Sequence, residues 1–413
     1  MLHITMAALI DTRILLRKIK DLRCLTPRRN RVKAKWATTQ PKYPATNLAL
    51  QNFDSTYGLQ LGAQWPSVRV SMLCDQKYGA LLNNLSSPEE VEVELRAQGC
   101  VDFVGCSAPV PADAGGAPEP DRLPEVTGTS SQDGEAELET GSRAAGEVAA
   151  TPRLSPNIRC LVYPKGDISR FKPARPRAYG LLGYYLLDAA SVLPALVLDV
   201  QEGHSVLDLC AAPGGKALAL LQTGLLRFLC VNDVSSSRTA RLRAVLRSFV
   251  HKELLTDDRV RITSFDGRKW EEFERNFFDR VLVDVPCTTD RHSLIEEENN
   301  IFKRARTKER QRLPQVQVEL LLSGIQAARP GGEVVYSTCS LSQLQNQYVV
   351  EQALLQAREE HGVALEVVDL RPLTHLFRDT FHFAPDTNLG ELVLPHLSAN
   401  FGPIYLCKLR RLN

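Results

Sequence analysis

Hydrophobic positions along the second half of the chain alternate between two spacings, one typical of strands and one typical of helices. Short runs rich in β-branched residues predict strands, and longer stretches with an apolar residue every three or four positions predict helices. The predicted strands are 204–210, 227–232, 260–263, 279–284, 333–338 and 400–409. The predicted helices are 216–222, 236–250, 308–329 and 344–360. Strands that alternate with helices indicate an α/β fold with a mostly parallel, doubly wound sheet, whose ligand loops lie at the carboxyl ends of the strands.

The amino-terminal segment has a composition of its own. Residues 1–37 contain ten Lys or Arg against two acids, and apolar residues recur at roughly helical spacing between Leu9 and Leu22. A basic, acid-poor amphipathic start is typical of a mitochondrial transit peptide, which predicts a location in the mitochondrial matrix. The same composition suits a basic arm that binds RNA, so this second interpretation stays open.

The next two segments differ from each other. Residues 38–104 mix apolar and polar positions and predict a smaller N-terminal folded region that is partly helical. Between 107 and 157 there are nine acids, three bases and no aromatic residue. Burial of so little apolar surface does not offset the conformational entropy that the segment would lose on ordering. Residues 105–157 are therefore predicted to be a disordered acidic linker. The main domain is predicted over 158–413.

The overall composition narrows the class of protein. The chain has 413 residues, of which 44% are hydrophobic and 24% charged, as in ordinary globular proteins. No run of about 18 apolar residues is present, so no membrane span is expected. Ten cysteines form no C-x-x-C pair, and no His/Cys spacing resembles a zinc site. We therefore expect reduced thiols, an intracellular compartment and no bound metal.

Small and acidic residues follow three consecutive predicted strands. Gly214 and Gly215 lie in the first strand-to-helix turn, Asp233 ends the second strand, and Asp266 follows the third. Glycines let a ligand approach the backbone, and an acid at a strand end accepts hydrogen bonds from ribose hydroxyls. The turn lacks the glycine spacing of phosphate-binding and dinucleotide-binding loops. The pattern predicts a site for a nucleoside-containing cofactor.

Two cysteines follow the fourth and fifth strands. Cys287 lies in DVPC and Cys339 lies in STCS. A single cysteine is most often a small buried hydrophobic residue. Because the fourth and fifth strands of such sheets are commonly neighbours, both thiols are expected to face the cofactor cleft.

These motifs resemble a known family. CAAPGGK at 210–216, DVPC at 284–287 and STCS at 337–340 resemble, in that order, the signature motifs of the Sun-type RNA cytosine-5 methyltransferases. The resemblance covers about 158–413 and implies a class I Rossmann-like methyltransferase fold with S-adenosyl-L-methionine as cofactor. The stretch 284–311 is similar to the mitochondrial branch that modifies small-subunit ribosomal RNA. After the Pro-Cys, where the wider family usually has Ser-Gly, this chain has Thr288–Thr289.

The resemblance also implies roles for residues. It assigns Cys339 as the nucleophile that adds to carbon 6 of cytosine and Cys287 as the residue that assists release. Asp284 is expected to hydrogen-bond the pyrimidine edge. A free thiol is mostly protonated at neutral pH, so an environment that activates the nucleophile is expected. The predicted cofactor contacts are Gly214, Gly215, Lys216, Asp233, Arg238, Asp266, Gly267 and Asp284.

The implied partners are mitochondrial small-subunit rRNA, mitochondrial ribosomal subunits and a helical-repeat protein of the mitochondrial transcription-termination-factor family. Six bases between 303 and 312 suit contact with an RNA backbone, or else form a solvated helix face. Two other functions remain open at this point. One is a non-catalytic rRNA-binding assembly factor of the same fold, and the other is a methyltransferase for a small molecule or a protein.

Overall fold

The described part of the chain in this computed structural model comprises residues 43–105, 154–155, 157–385 and 387–413. The predicted transit peptide or basic arm, 1–37, and most of the predicted acidic linker, 105–157, lie outside the described residues. Within those ranges, no helix has both the length and the apolar character needed to cross a membrane.

Helices and strands alternate through most of the described chain. The helices are α1 (Ala45–Leu61), α2 (Trp65–Leu73), α3 (Pro88–Ala97), α4 (Leu193–Val197), α5 (Gly215–Gln222), α6 (Ser236–Phe249), α7 (Asp290–Ile295), α8 (Thr307–Ala327), α9 (Gln347–Glu359) and α10 (Arg371–Phe377). The strands are β1 (Gly79–Leu82), β2 (Val101–Asp102), β3 (Cys160–Val162), β4 (Tyr184–Leu187), β5 (His204–Asp208), β6 (Leu226–Asn232), β7 (Val260–Thr263), β8 (Phe278–Asp284), β9 (Ala328–Thr338), β10 (Leu365–Val368), β11 (Glu391–Val393) and β12 (Ile404–Arg411).

The large sheet has the strand order β10-β12-β9-β8-β5-β6-β7, with β11 paired to β12. The five strands from β9 to β7 run parallel, and β10, β11 and β12 form antiparallel pairs at the other edge. The predicted α/β fold with a mostly parallel, doubly wound sheet is therefore confirmed. The chain runs outward from β5 to β7 on one side and from β8 to β9 on the other. The reversal opens a crevice at the carboxyl ends of β5 and β8.

Two strands, β9 and β12, begin at least four residues away from the predicted position. The Pro330–Gly331–Gly332 sequence was expected to separate helix from strand, but β9 begins at Ala328 and runs through it. A Cβ at Gly332 would lie 2.8 Å from the carbonyl oxygen of Arg329, so only glycine fits there. The last strand begins at Ile404, and not at residue 400, because Gly402 has φ +74° and Pro403 has no backbone N–H to donate to a neighbouring strand. The Asn400 side chain donates instead to the carbonyls of Ser71 and Asp75.

A second, four-stranded antiparallel sheet has the order β2-β3-β1-β4. Strands β1 and β2 come from the predicted N-terminal region, 38–104, whereas β3 and β4 come from the predicted methyltransferase region, 158–413. Leu81, Cys160 and Leu187 of this sheet belong to the same hydrophobic core as α4 and α5. The two predicted regions therefore share one core within the compact unit Ala45–Asn413.

Helices α1 and α2 pack on the part of the chain that follows β8, namely α7 and the segment up to Phe302. The ring of Phe53 stacks on that of Tyr57 at 4.9 Å and meets the edge of Phe302 at 5.1 Å. The Glu297 carboxylate accepts hydrogen bonds from the backbone N–H groups of Ala45 and Thr46 at 3.0 and 2.9 Å. An acid at this position satisfies donors that the first turn of a helix leaves open and complements the helix dipole.

Arg291 of α7 ties the N-terminal helices to the end of the chain. Its side chain is buried and donates to the carbonyls of Ser71, Cys74 and Gly402 at 3.1, 3.3 and 3.0 Å. It also donates to the Asn400 side-chain oxygen at 2.8 Å. One guanidinium therefore satisfies acceptors from α2, from the turn after it and from the segment before β12.

We expect Arg291→Met to lower the free energy of unfolding by roughly 3 kcal/mol, because buried acceptors lose their donor. Urea denaturation measures this change. Arg371→Met is the control, because Arg371 forms an exposed ion pair with Asp369 and its loss should change stability little. Equal stability of the two variants would contradict the role given to Arg291.

Candidate active site

The two motif cysteines meet at the carboxyl ends of neighbouring strands. Cys287 follows β8 and Cys339 follows β9, and these strands pair in parallel with Asp284 opposite Ser337. The Sγ atoms of the two cysteines lie 3.2 Å apart. Both thiols line one cleft of about 700 Å³. The parallel pairing of β8 with β9 therefore brings both thiols to one cleft, as the sequence predicts.

The environment of Cys339 differs from the expected one. Its hydrogen bond to Cys287 and its burial raise its pKa well above the ordinary value, and the negative charge of Asp284 adds to this. Lys216 acts in the opposite direction but does not outweigh them. The thiol is therefore the stable form here, and the positive charge beside it is the feature of the site that favours the thiolate.

Asp284 and Lys216 form the charged centre of the cleft. Lys216 Nζ lies 2.8 Å from Asp284 Oδ2, and the Ser337 hydroxyl donates to Asp284 Oδ1 at 2.7 Å. Burial alone would lower the pKa of Lys216, but the attraction of Asp284 outweighs it and raises the pKa. The first-turn lysine of α5 is therefore a half-buried cation that holds Asp284 in place.

The predicted glycines allow close packing. Gly214 has φ +117°, and a Cβ on it would lie 2.8 Å from Leu242 Cδ1 of α6. A Cβ on Gly215 would lie 3.0 Å from the ring of Tyr185. Gly267 is buried against Leu209 in the same manner. These contacts account for all three glycines without a ligand, and their predicted cofactor contacts stay predictions.

The acids at the strand ends differ in availability. Asp233 is buried, and its Oδ1 accepts from the backbone N–H of Ser235 at 2.9 Å. Its Oδ2 lies 3.2 Å from Arg238 Nη1 but has no hydrogen bond to any described residue. Asp266, in contrast, has both carboxylate oxygens occupied by the side chain of Arg268. The open oxygen of Asp233 suits a ribose hydroxyl, so this residue fits the nucleoside part of a cofactor.

The structure brings five of the predicted site residues together in one cleft, namely Lys216, Arg238, Asp284, Cys287 and Cys339. Asp233 does not itself line the cleft, but it forms an ion pair with Arg238, which does. Asp266 and Gly267 are absent from the described residues that line the cleft. In the same described ranges, no group of three His, Cys, Asp or Glu side chains is arranged to hold a metal ion.

Sequence reasoning missed one acid, Asp208, the last residue of β5. It is fully buried, and neither carboxylate oxygen has a hydrogen bond from any described residue. Burial, together with the charge of Asp284, raises its pKa to about 8. The signal in the sequence was an acid between the apolar residues Leu207 and Leu209, in the strand that precedes the glycine turn.

The basic run at 303–312 divides into two groups. Lys303 and Arg306 line the cleft, and Arg306 forms an ion pair with Glu309. The guanidinium of Arg310 lies over the ring of Phe302 at 4.5 Å, so this base stabilises the fold locally. The first group is available to a charged ligand at the mouth of the cleft.

Comparison with known proteins gives the family. The model of the family described as "16S rRNA methyltransferase RsmB/F" matches residues 195–393. The chain is 53% identical over 386 residues to "5-cytosine rRNA methyltransferase NSUN4" of Bos taurus, covering 94% of each chain. The chain belongs to the Sun-type family of RNA cytosine-5 methyltransferases. It is also 54% identical to the protein of the same name from Xenopus tropicalis, over 96% of this chain and 98% of that one.

The family resemblance found in the sequence is thus confirmed, and S-adenosyl-L-methionine is the cofactor of this Sun-type enzyme. A solved structure of a methyltransferase homologue from Pyrococcus horikoshii is 18% identical, with a TM-score of 0.53 over 91% of this chain and all of that one. At this identity the likeness concerns the fold, and it agrees with the Rossmann-like sheet.

We expect Asp208→Asn to remove a pH dependence of stability. Because burial raises the pKa of this carboxyl, the folded protein holds a proton that the unfolded chain releases near pH 4. Its stabilising contribution is present below about pH 4 and is lost as the pH rises to about 8. The unfolding free energy of the wild type minus that of the variant should therefore fall over this range, as measured by urea denaturation.

Asp266→Asn is the matched control. The hydrogen bonds from Arg268 lower the pKa of Asp266, so its contribution is lost only as the pH falls through acidic values. Its difference from the wild type should stay constant between about pH 5 and pH 8. A constant difference for Asp208→Asn as well would show that Asp208 is ionised in the folded protein.

Proposed function

We propose that this protein methylates carbon 5 of a cytidine in mitochondrial small-subunit rRNA through a covalent intermediate on Cys339. The observation that carries the proposal is the pair of thiols 3.2 Å apart beside the Lys216–Asp284 ion pair. The names of the relatives, which are 5-cytosine rRNA methyltransferases, support ribosomal RNA as the substrate. A methyltransferase for a small molecule or a protein needs no such pair of thiols.

The chemistry explains why two thiols are needed. The thiolate of Cys339 adds to carbon 6 of cytosine, and the electron pair of the 5,6 double bond makes carbon 5 nucleophilic. S-Adenosyl-L-methionine, when bound, would supply the electrophilic methyl group to carbon 5 and would leave as S-adenosylhomocysteine. Cys287 then assists removal of the carbon 5 proton, the double bond re-forms, and the bond between carbon 6 and Cys339 breaks. The ring is restored and the cysteine is regenerated.

The charged centre supports these steps. In the proposed reaction Asp284 hydrogen-bonds the pyrimidine edge, as the family resemblance implies, and its ion pair with Lys216 fixes its orientation. Lys216 also lowers the cost of the negative charge on Cys339 as the thiolate forms. Lys303 and Arg306 at the mouth suit RNA phosphates. A base must enter this cleft unstacked, from a single-stranded region or by flipping, which costs a few kcal/mol in a duplex.

Covalent trapping tests the roles of the two cysteines. Wild type, Cys287→Ala and Cys339→Ala are incubated with mitochondrial small-subunit rRNA and S-adenosyl-L-methionine and separated on a denaturing gel. Cys287→Ala should accumulate a protein–RNA adduct that the wild type releases. Cys339→Ala should form none and lose methyl transfer by on the order of a thousandfold or more.

The control is Cys210→Ala, because Cys210 lines the same cleft but takes no part in the proposed steps. It should methylate RNA without accumulating an adduct. A reversed pattern in the two main variants would exchange the roles of the thiols. The absence of both adduct and methyl transfer, even with a helical-repeat partner added, would favour the non-catalytic assembly factor.

We further propose that the protein acts in the mitochondrial matrix and contributes to ribosome assembly there. The support is the basic, acid-poor start of the chain and the similarity of 284–311 to the family's mitochondrial branch. The same similarity supports mitochondrial ribosomal subunits and a helical-repeat protein of the transcription-termination-factor family as partners.

Fusing residues 1–37 to a fluorescent reporter tests the location. The fusion should enter mitochondria, because a positively charged amphipathic segment is the import signal. The control replaces Arg13, Arg17, Lys18 and Lys20 with Gln, which removes the charge between the apolar positions and should leave the reporter in the cytosol. Exclusion of the unmodified fusion from mitochondria would favour a basic RNA-binding arm.

A further inference from the structure

We propose that Tyr57 and Asp290 are positioning residues that hold the two cysteine loops in register for catalysis. The inference rests on the proposed covalent function and extends it to the N-terminal helix α1, whose role the sequence left open. Among the described residues that line the cleft, neither Tyr57 nor Asp290 occurs. Their effect on the reaction must therefore pass through the loops that they bind.

The carboxylate of Asp290 joins the two loops directly. It is fully buried, and it accepts hydrogen bonds from Thr288, the residue after Cys287. It also accepts from the hydroxyl of Ser340, the residue after Cys339, at 3.1 Å, and from the backbone N–H of Leu341 at 2.8 Å. One buried side chain therefore connects the segments that carry both thiols.

Further hydrogen bonds surround this link. The Gln345 side chain donates to the Thr288 hydroxyl at 3.0 Å and accepts from the Thr288 backbone N–H at 3.1 Å. The backbone N–H of Asp290 donates to the carbonyl of Cys339 at 3.3 Å. The loops thus form a closed network in which a shift of either cysteine breaks several bonds at once.

Tyr57 anchors this network to α1. Its hydroxyl donates to Asp290 Oδ2 at 2.8 Å. Burial raises its pKa well above the ordinary value, so the phenol keeps the proton that it donates. Its ring lies between those of Phe53 and Trp65, at centroid distances of 4.9 and 5.6 Å. The hydroxyl is therefore held by a rigid aromatic cluster.

The loop that Asp290 holds has a strained backbone at Thr289, and this strain favours a shift of the loop when the hydrogen bonds of Asp290 are lost. Thr289 has φ +44°, in the left-handed region that is costly for a β-branched residue. Glycine would adopt this conformation without that cost, but a threonine does not. Loosening Asp290 lets Thr289 relax, and the segment from Cys287 to Asp290 shifts with it. The separation of the two Sγ atoms then changes.

The test compares Tyr57→Phe and Asp290→Asn with Tyr405→Phe in the full chain. Tyr405 is the matched control because it is equally buried and donates one hydrogen bond, to the Leu389 carbonyl at 2.6 Å, but is outside the network. We expect both network variants to lower kcat for RNA methylation about tenfold, with KM changed less than about twofold. Tyr405→Phe should keep the wild-type kcat.

A second measurement reads the thiol spacing without RNA. Phenylarsine oxide binds two thiols at once, so its affinity reports whether Cys287 and Cys339 are held close together. Cys287→Ala gives the background from the other cysteines. We expect Tyr57→Phe and Asp290→Asn to weaken the binding above background about tenfold and Tyr405→Phe to leave it unchanged.

Two results overturn the inference. One is an arsenical affinity in both network variants equal to that of the wild type, and the other is a kcat equal to that of Tyr405→Phe. If the wild type methylates no RNA, the proposed function fails on its own. The arsenical measurement then still decides whether Tyr57 and Asp290 set the spacing of the thiols.

Discussion

The parallel pairing of β8 with β9 is the constraint on which the active site depends. The register that sets Asp284 opposite Ser337 also brings the two following turns side by side, and each turn carries a cysteine. In a parallel pair both strands end at the same edge, so the two turns that carry the thiols lie side by side. The Ser337–Asp284 hydrogen bond then links the strand ends laterally. The remaining site residues are added around this pair.

The cleft also brings several acidic side chains close together, and their negative charges have to be compensated. Asp208 and Asp284 end β5 and β8 and interact with the half-buried Lys216, whereas Asp233 follows β6 and forms an ion pair with Arg238. Lys216 and Arg238 form ion pairs with Asp284 and Asp233, whereas Asp208 forms no ion pair with a described residue and is favoured in its protonated form by burial. Asp208, which lacks hydrogen bonds from the described residues, is the group whose pKa rises to about 8.

Residues that belong to a strand pattern or a sequence motif were predictable. Residues whose role depends on contacts between distant parts of the sequence were not. The β-branched run at 279–284 and the STCS motif identified the strands before Cys287 and Cys339, and the pairing of these strands follows from general rules of parallel sheets. The hydrogen bond from Tyr57 to Asp290 spans 233 positions of sequence, and no local pattern marks either partner. The Pro330–Gly331–Gly332 sequence predicts a gap between helix and strand, because proline and glycine usually interrupt strands. The sequence indicated the glycines of the first strand-to-helix turn, but it could not show that Leu242 and Tyr185 pack closely against Gly214 and Gly215.

The small sheet and the N-terminal helices have a consequence for the order in which the chain folds. Strand β1 has both neighbours, β3 and β4, far downstream, and α2 gives its Ser71 carbonyl to Arg291 and Asn400. A chain emerging from a ribosome therefore exposes these apolar helix faces until almost the whole polypeptide has been made. Contacts of such long range slow folding and leave hydrophobic surface accessible to chaperones in the meantime. The first folded segment to be synthesised is thus among the last to gain its native packing.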